Sequence, residues 1–214
     1  MSALPEPVEE VCDRPERWEV VDSAEAFRGR IVRVRVDRVK MRGGEGMEVV
    51  TREAIVHPGS VGVVAIDEAD RVLMIRQYRH PAGRLLWEVP AGLRDVPGEP
   101  LRDLAARELL EEAGYRAEHW HTLVDAFPSP GMSDERIRVF LARGLTEVPP
   151  EEIDFERVHE EADMPVAWVP LDEAVAKVLR GQIHNSMAVN GILAAHAARA
   201  RGWTGLRPAD APED

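Results

Sequence analysis

The chain has 214 residues, of which 44% are hydrophobic and 31% charged, and its formal net charge is −12. This composition supports one packed domain with an added subdomain and argues against a largely disordered chain. The acidic balance disfavours a protein that wraps a nucleic-acid backbone, and it would repel a polyphosphate unless cations are bound. The single cysteine, Cys12, excludes an internal disulfide framework and a CxxC zinc site. No apolar run approaches the roughly 20 residues of a membrane span, and the acidic start is unlike a secretory signal, so we expect a soluble cytoplasmic protein.

The first 56 residues predict a short lead followed by a β arm. Residues 1–17 are acidic and proline-containing, and we expect them to be flexible. Valines then alternate with charged residues over 31–38, which is the period-2 pattern of a strand. The stretch GGEG at 43–46 predicts a hairpin turn, and 47–57 predicts the returning strand. The sequence therefore predicts an antiparallel arm or subdomain over 18–56.

The rest of the chain mixes strands and helices without a regular βαβ rhythm. Strands are predicted at 60–67, 71–79, 85–92, 121–127, 137–145 and 166–170, and helices at 100–114, 171–182 and 185–201. Pro100 suits the first helical position, and Gly114 suits a left-handed cap at the end of the same helix. An acidic loop is predicted over 147–165 and a flexible tail over 205–214. These elements favour an α+β fold whose main domain, 57–204, is built on a mixed sheet.

Three glutamates crowd the end of the first predicted helix. Glu108 lies three and four residues before Glu111 and Glu112, so all three are neighbours on one face. Like charges at this spacing, near the negative end of the helix dipole, are unfavourable by themselves. Arg107 is placed to hold Glu111, which leaves Glu108 and Glu112 aimed outward as oxygen ligands for a hard divalent cation. A solvated acidic helix face is the alternative.

The stretch AGLRDVPGEPLRDLAARELLEEAGY resembles the Nudix box, whose pattern is G-x5-E-x7-R-E-U-x-E-E-x-G-U with U an apolar residue. Gly92, Glu99, Arg107, Glu108 and the final glutamates and glycine occupy the fixed positions. The sequence departs from the pattern twice. Six residues instead of five separate Gly92 from Glu99, and Tyr115 fills the last apolar position. The extra residue precedes the helix, so we expect the register of the helix to be unaffected.

The resemblance implies a fold, an activity and a metal site. Nudix enzymes form an α/β/α sandwich and hydrolyse nucleoside diphosphates linked to another moiety. Carried onto this chain, the family pattern makes Glu108, Glu111, Glu112 and the Ala91 carbonyl the metal ligands, with two or more Mg²⁺ or Mn²⁺ ions per site. Arg107 would orient the glutamates, and Glu99 would support the junction of loop and helix. Bound metal ions neutralise the phosphates and activate water, which makes an acidic site attractive to this substrate.

Stretches from about residue 48 to residue 193 resemble the ADP-ribose pyrophosphatases within this family. That resemblance implies hydrolysis of ADP-ribose to AMP and ribose 5-phosphate by a homodimer whose arms cross between subunits. It implies a general base in HEEADM, either Glu161, which we favour, or its neighbour Glu160. Arg52, Arg79 and Glu135 are the expected substrate contacts. Their ordinary alternatives are a surface charge, a salt bridge to the box and a loop-capping acid, respectively.

Other residues and other functions are less well supported by the sequence. The scattered histidines His57, His80, His159 and His184 lack zinc-like spacing and favour surface or capping roles, and Trp87 favours the core over base stacking. Another nucleotide sugar or a dinucleotide is an alternative substrate. A non-catalytic ADP-ribose sensor is the alternative class, but such a protein usually adds a basic DNA-binding domain and often loses box glutamates.

Overall fold

The computed structural model describes residues 11–44, 46–155 and 164–213. Residues 11–19 have no regular secondary structure. Eleven strands and three α-helices follow in this part of the chain. The strands are β1 Val20–Arg28, β2 Arg33–Arg42, β3 Met47–Val56, β4 Ser60–Ala65, β5 Arg71–Arg79, β6 Arg84–Glu88, β7 Ala91–Leu93, β8 Tyr115–Ala126, β9 Ile137–Glu147, β10 Val166–Pro170 and β11 Arg207–Pro208; the helices are α1 Leu101–Ala113, α2 Leu171–Leu179 and α3 Ser186–Ala200.

The main body is a sandwich with helices on both faces of a mixed sheet. Its five strands lie in the order β11-β8-β9-β4-β7, and β4 and β9 form the parallel pair. One apolar core lies between the sheet and α1, and a second lies between the sheet and the pair α2 and α3. Strand β4 is buried along its whole length because it lies between these two cores. The predicted α+β fold with a mixed sheet is confirmed.

Two smaller sheets complete the architecture. Strands β10, β5 and β6 form an antiparallel sheet, and β1, β2 and β3 form the predicted N-terminal arm. The most buried residues of β2 are Asp37 and Val39, which share one face of the strand, whereas Val34 and Val36 on the other face are only partly buried. The arm is attached to the body at Ile55, whose N–H donates to the Met132 carbonyl (2.8 Å) and whose carbonyl accepts from Asp134 N–H (3.1 Å).

Helix α1 begins one residue later than the sequence predicts. Pro100 is the N-cap, with an extended ψ of 138°, and the helix starts at Leu101. The proline ring is compatible with either position, since the φ of −61° suits both. Gly114 ends the helix in the left-handed conformation (φ 76°), as predicted, and its N–H bonds to the carbonyls of Leu109 and Leu110.

The predicted flexible tail is the clearest correction to the fold. Residues 207–208 form β11 against β8, and the buried Arg138 donates to the carbonyls of Ala211 (2.6 Å) and Pro212 (3.1 Å). Glu213 accepts a hydrogen bond from Arg94 (3.1 Å). The polar, proline-containing composition of the tail suggested disorder, but cations on the body supply partners for its carbonyl and carboxylate groups. The other domain boundaries remain predictions.

Within the described residues, no helix combines the length and the apolar character that crossing a lipid bilayer requires.

Candidate active site

A cleft of about 550 Å³ opens where α1, the short strand β7 and the start of α3 meet. Its lining is mostly polar and comes from many parts of the chain. The lining residues are His57, Ser60, Gln77, Arg79, Glu88, Ala91, Gly92, Leu93, Asp95, Arg107, Glu108, Glu112, Pro128, Glu135, Ile137, Asn185, Ser186 and Met187. The cleft therefore brings together box residues with residues that are distant in sequence.

The guanidinium group of Arg107 on α1 holds three carboxylates, two on the same helix and one just before it. Arg107 Nε and Nη2 donate to both oxygens of Glu99 (3.1 and 3.2 Å). Its Nη1 donates to Glu108 Oε1 (3.0 Å) and to Glu111 Oε2 (3.1 Å). The hydrogen bond with Glu99 and the nearby charges of Glu108 and Glu111 raise the pKa of Arg107, although partial burial opposes the shift. The predicted contact between Arg107 and Glu111 is present.

Glu112 does not point outward, as the sequence analysis expected. It is 4% exposed, and its Oε2 accepts a hydrogen bond from the N–H of Ala91 at 2.8 Å. Helical spacing places Glu112 on one face with Glu108, but it does not reveal that β7 and the loop after it cover that face. A buried carboxylate is costly unless it is hydrogen-bonded, paired or bound to a cation, and Ala91 N–H supplies one such hydrogen bond.

Gly92 makes the close approach between β7 and α1 possible. A Cβ atom at this position would lie 2.0 Å from Glu108 Oε1 and 2.2 Å from its carboxyl carbon. No real side chain tolerates such a distance, so any other residue would displace the Glu108 carboxylate. The first glycine of the box is thus needed for space, since its backbone is not in the left-handed region.

The chemistry of this cluster suits a hard divalent cation. The cluster offers carboxylate oxygens, the ligands that Mg²⁺ and Mn²⁺ prefer, from Glu99, Glu108, Glu111 and Glu112. The negative charge of these carboxylates exceeds the single positive charge of Arg107. As the side chains stand, no group of three or more acidic, histidine or cysteine side chains in the described part of the chain is arranged to hold an ion. Instead, Glu108 and Glu111 accept hydrogen bonds from Arg107, and Glu112 accepts one from Ala91 N–H.

The predicted substrate contacts divide between the cleft and the surface. Arg79 lies in the cleft, and it forms a bidentate ion pair with the buried Glu88 (2.9 and 2.6 Å), which is not a box residue. Glu135 also lines the cleft and accepts from Ser60 Oγ at 3.1 Å. Arg52 is exposed on β3, outside the cleft, with its Nη1 donating to the Thr51 carbonyl. The two candidate bases, Glu160 and Glu161, lie outside the described residues.

Several cleft residues were missed or assigned another role by sequence reasoning. His57, assigned to the surface or to a cap, lines the cleft, and its Nδ1 also accepts from Gly59 N–H at 3.1 Å. Glu88 carried a usable signal, because an acid inside the apolar stretch LLWEVP is costly unless it is paired. Asn185 also carried one, since the side chain of Asn185 caps α3 by accepting from Ala188 N–H. Gln77 and Ser186 gave no comparable signal.

With this geometry in view, comparison with known proteins identifies the class. The NUDIX domain matches residues 56–188, so the chain belongs to the Nudix hydrolase family. Over 193 residues, covering 90% of this chain and 89% of the relative, it is 48% identical to the ADP-ribose pyrophosphatase of Mycobacterium tuberculosis. It is also 33% identical over 169 residues to the methanol dehydrogenase activator of Bacillus methanolicus, covering 79% of this chain and 87% of the relative.

A solved structure supports the fold independently. The crystal structure of an ADP compounds hydrolase superposes with a TM-score of 0.69 at 19% identity, covering 89% of this chain and 99% of the other. At this identity the likeness concerns the fold alone. Dependence on a divalent metal ion is general in the Nudix family.

Proposed function

We propose that this protein hydrolyses the pyrophosphate bond of ADP-ribose to give AMP and ribose 5-phosphate. The observation that carries the proposal is the carboxylate cluster around Arg107 in the cleft of a chain that is 48% identical to an ADP-ribose pyrophosphatase. The cluster carries more negative charge than Arg107 can balance, which favours a bound cation, and a cation is what a diphosphate needs in order to bind here.

The metal would be Mg²⁺ or Mn²⁺, with two or more ions held by Glu108, Glu111, Glu112 and the Ala91 carbonyl. When bound, these ions neutralise the diphosphate and lower the pKa of an attacking water. Arg107 keeps Glu99, Glu108 and Glu111 close together while the site is being loaded. Glu112 ties α1 to β7 through Ala91 N–H, which fixes the spacing between the helix and the strand that flanks the diphosphate.

Arg79 is proposed to bind the phosphates or the adenine end of the substrate, and Glu135 is proposed to lie near the terminal ribose. Arg79 is fixed by Glu88 before substrate arrives, so its guanidinium is oriented at low entropic cost. Glu135 is oriented in the same way by the hydroxyl of Ser60. Arg52 would act in the site of a partner subunit, as the proposed homodimer requires.

The general base is proposed to be Glu161, with Glu160 as the alternative. Glu161→Gln should lower kcat by roughly 10²–10⁴-fold and leave KM nearly unchanged, because the amide cannot accept the proton of the attacking water. Glu160→Gln is the matched control and should cost far less. A severe loss in Glu160→Gln alone would make Glu160 the base, and no loss in either variant would remove this loop from proton transfer.

The experiment that tests the function is a substrate panel. The purified protein is incubated in ¹⁸O-labelled water with Mg²⁺ and ADP-ribose, GDP-mannose, other nucleotide sugars or dinucleotides, and the products are separated by chromatography. We expect ADP-ribose to give the highest kcat/KM and AMP to be a product. A higher kcat/KM for another nucleotide would replace ADP-ribose as the substrate, and no turnover of any compound would favour a sensing role.

A further inference from the structure

A buried glutamine in the wall of the cleft has an acceptor with which no described residue pairs. Gln77 lies on β5, is 6% exposed and lines the cleft. Its Oε1 is fully buried and has no hydrogen-bond partner among the residues that the structure describes. A buried acceptor without a partner is costly, and such groups are few in native proteins. A ligand that completes the hydrogen bond would offset this cost.

The course of β5 explains why Gln77 faces the cleft. Strand β5 is the central strand of its sheet: β10 pairs with one edge from Arg71 to Ile75, and β6 pairs with the other edge from Ile75 to Arg79, with Gln77 opposite Leu86. Ile75, Gln77 and Arg79 share one face of β5 because side chains alternate along a strand. Ile75 is part of the core, and Arg79 reaches the cleft, so Gln77 stands at the boundary between the two.

We propose that Gln77 is a specificity residue whose Oε1 accepts a hydrogen bond from an uncharged donor of the substrate. The inference rests on the proposed function, because it takes ADP-ribose as the ligand. A carbonyl oxygen takes only N–H or O–H donors, and phosphate oxygens that are ionised at neutral pH have none to give. The donors of ADP-ribose are the adenine amino group and the ribose hydroxyls. Oε1 of Gln77 therefore accepts from the nucleoside end or the terminal ribose, and not from the diphosphate.

Specificity of this kind comes from rejection as well as attraction. A substrate that lacks the matching donor would leave Oε1 buried and unpaired in the complex, and sites of this kind discriminate strongly against such analogues. The arginines and carboxylates of the cleft recognise charge, which all nucleoside diphosphate derivatives share. Gln77 supplies a neutral acceptor, which favours derivatives that place an N–H or O–H donor at this point over those that do not.

The test uses Gln77→Met, which keeps the length of the side chain but removes the acceptor. Gln182→Met is the matched control, since Gln182 is the other glutamine of the chain and is exposed away from the cleft. KM and kcat are measured with ADP-ribose, and inhibition constants with AMP, ribose 5-phosphate and inorganic phosphate. The melting temperature is measured without ligand. If the wild-type enzyme does not cleave ADP-ribose, the proposed function fails, and calorimetric binding of the same three probes still tests Gln77.

In Gln77→Met we expect KM to rise about 5- to 50-fold and kcat to change less, as for the loss of one hydrogen bond to a buried group. Inhibition by either AMP or ribose 5-phosphate should weaken by a similar factor, and the weakened inhibitor identifies the end of ADP-ribose that Gln77 contacts. Inhibition by phosphate should not change. The melting temperature should stay the same or rise, because an unpaired buried acceptor has been removed. Unchanged constants, equal weakening for all three probes, or a lower melting temperature with unchanged KM would overturn the proposal.

Discussion

Gly92 and Glu108 show how much of the site depends on single atoms. The carboxylate of Glu108 occupies the space that a Cβ atom of residue 92 would fill. Its position is therefore set by β7 on one side and by Arg107 on the other. A carboxylate that is confined in this way has little side-chain freedom left to lose when it binds an ion, which is the role proposed for Glu108.

Gly92→Ala is expected to lower kcat about 10- to 100-fold, because a methyl group would displace the Glu108 carboxylate by about an ångström or more. The free energy of unfolding should change by less than about 1 kcal/mol, since the displaced atoms are the end of a flexible side chain. Gly44→Ala is the control, as no atom lies within 4 Å of a Cβ atom there. Retained activity in Gly92→Ala at saturating metal would contradict this role for Glu108.

At the scale of single residues, the sequence indicated which glutamates and arginine meet at the site, but not how deeply each side chain is buried. The spacing of the box glutamates correctly predicted the contact from Arg107 to Glu111. It could not predict that Glu112 is buried, because the covering strand β7 is only three residues long and has no period of its own. It also missed Gln77, since a polar residue in an apolar strand has the same pattern whether it faces water or a cleft.

At the scale of elements, the C-terminal segment 207–213 is bound to the edge of the main sheet through one network of charges. Arg138 is 3% exposed and donates from Nε and Nη2 to the two oxygens of Asp125 (2.7 and 2.9 Å). Arg207 adds a third contact to Asp125 (2.9 Å). Burial tends to raise the pKa of Asp125, but hydrogen bonds and charge from both arginines outweigh it and lower this pKa.

Asp125→Asn is expected to reduce the free energy of unfolding at pH 7 by about 2 kcal/mol, because the charge-assisted hydrogen bonds from Arg138 to the carboxylate are weakened. A lowered pKa in the folded state means that the carboxylate stabilises the fold above its ordinary pKa of about 3.9. This contribution is lost as the pH falls through the lower folded-state value. The stability difference between wild type and variant, followed by thermal melting from about pH 7 downward, should therefore shrink below about pH 4. A difference that stays constant to lower pH would contradict the assignment.

Elements were predictable from sequence where local pattern and burial agree. Strands β2 to β5, β8, β9 and β10 and all three helices were predicted, most of them within a few residues of their bounds. The sequence did not predict β1 as a separate strand, because all of its residues are exposed and its pattern marks neither face as apolar. Strand β11 has only two residues, which are too few to show an alternating hydrophobic pattern in the sequence. It is defined by its pairing with β8.

At the scale of the whole molecule, the N-terminal arm has little core of its own. Val39 and Asp37 are its most buried residues, and Phe27, Met47 and Val20 are about half exposed or more. Covering these exposed apolar side chains would stabilise the arm, because apolar surface removed from water lowers the free energy. The proposed homodimer would cover them and would bring Arg52 toward the cleft of the partner subunit.

Multi-angle light scattering at assay concentration should give twice the chain mass of 23.9 kDa. Phe27→Glu should shift the protein toward the monomer, because a charge on a buried interface is costly. The same variant should lower kcat/KM for ADP-ribose if the site is composite. A fully active monomer would reject both the dimer and the role of Arg52.

The most direct test is the metal dependence of ADP-ribose hydrolysis in Glu112→Gln, measured beside the control Glu118→Gln. Glu112 is buried in the cleft, whereas the side chain of Glu118 is 74% exposed on β8. The amide introduced at position 112 can still accept from Ala91 N–H, so the fold should persist, but one charge that binds the cation is lost. We expect wild type and Glu118→Gln to release AMP from ADP-ribose as Mg²⁺ is raised, and Glu112→Gln to stay inactive at every concentration with its melting temperature unchanged or higher. Near wild-type turnover by Glu112→Gln at saturating Mg²⁺ would contradict the assignment of the active site.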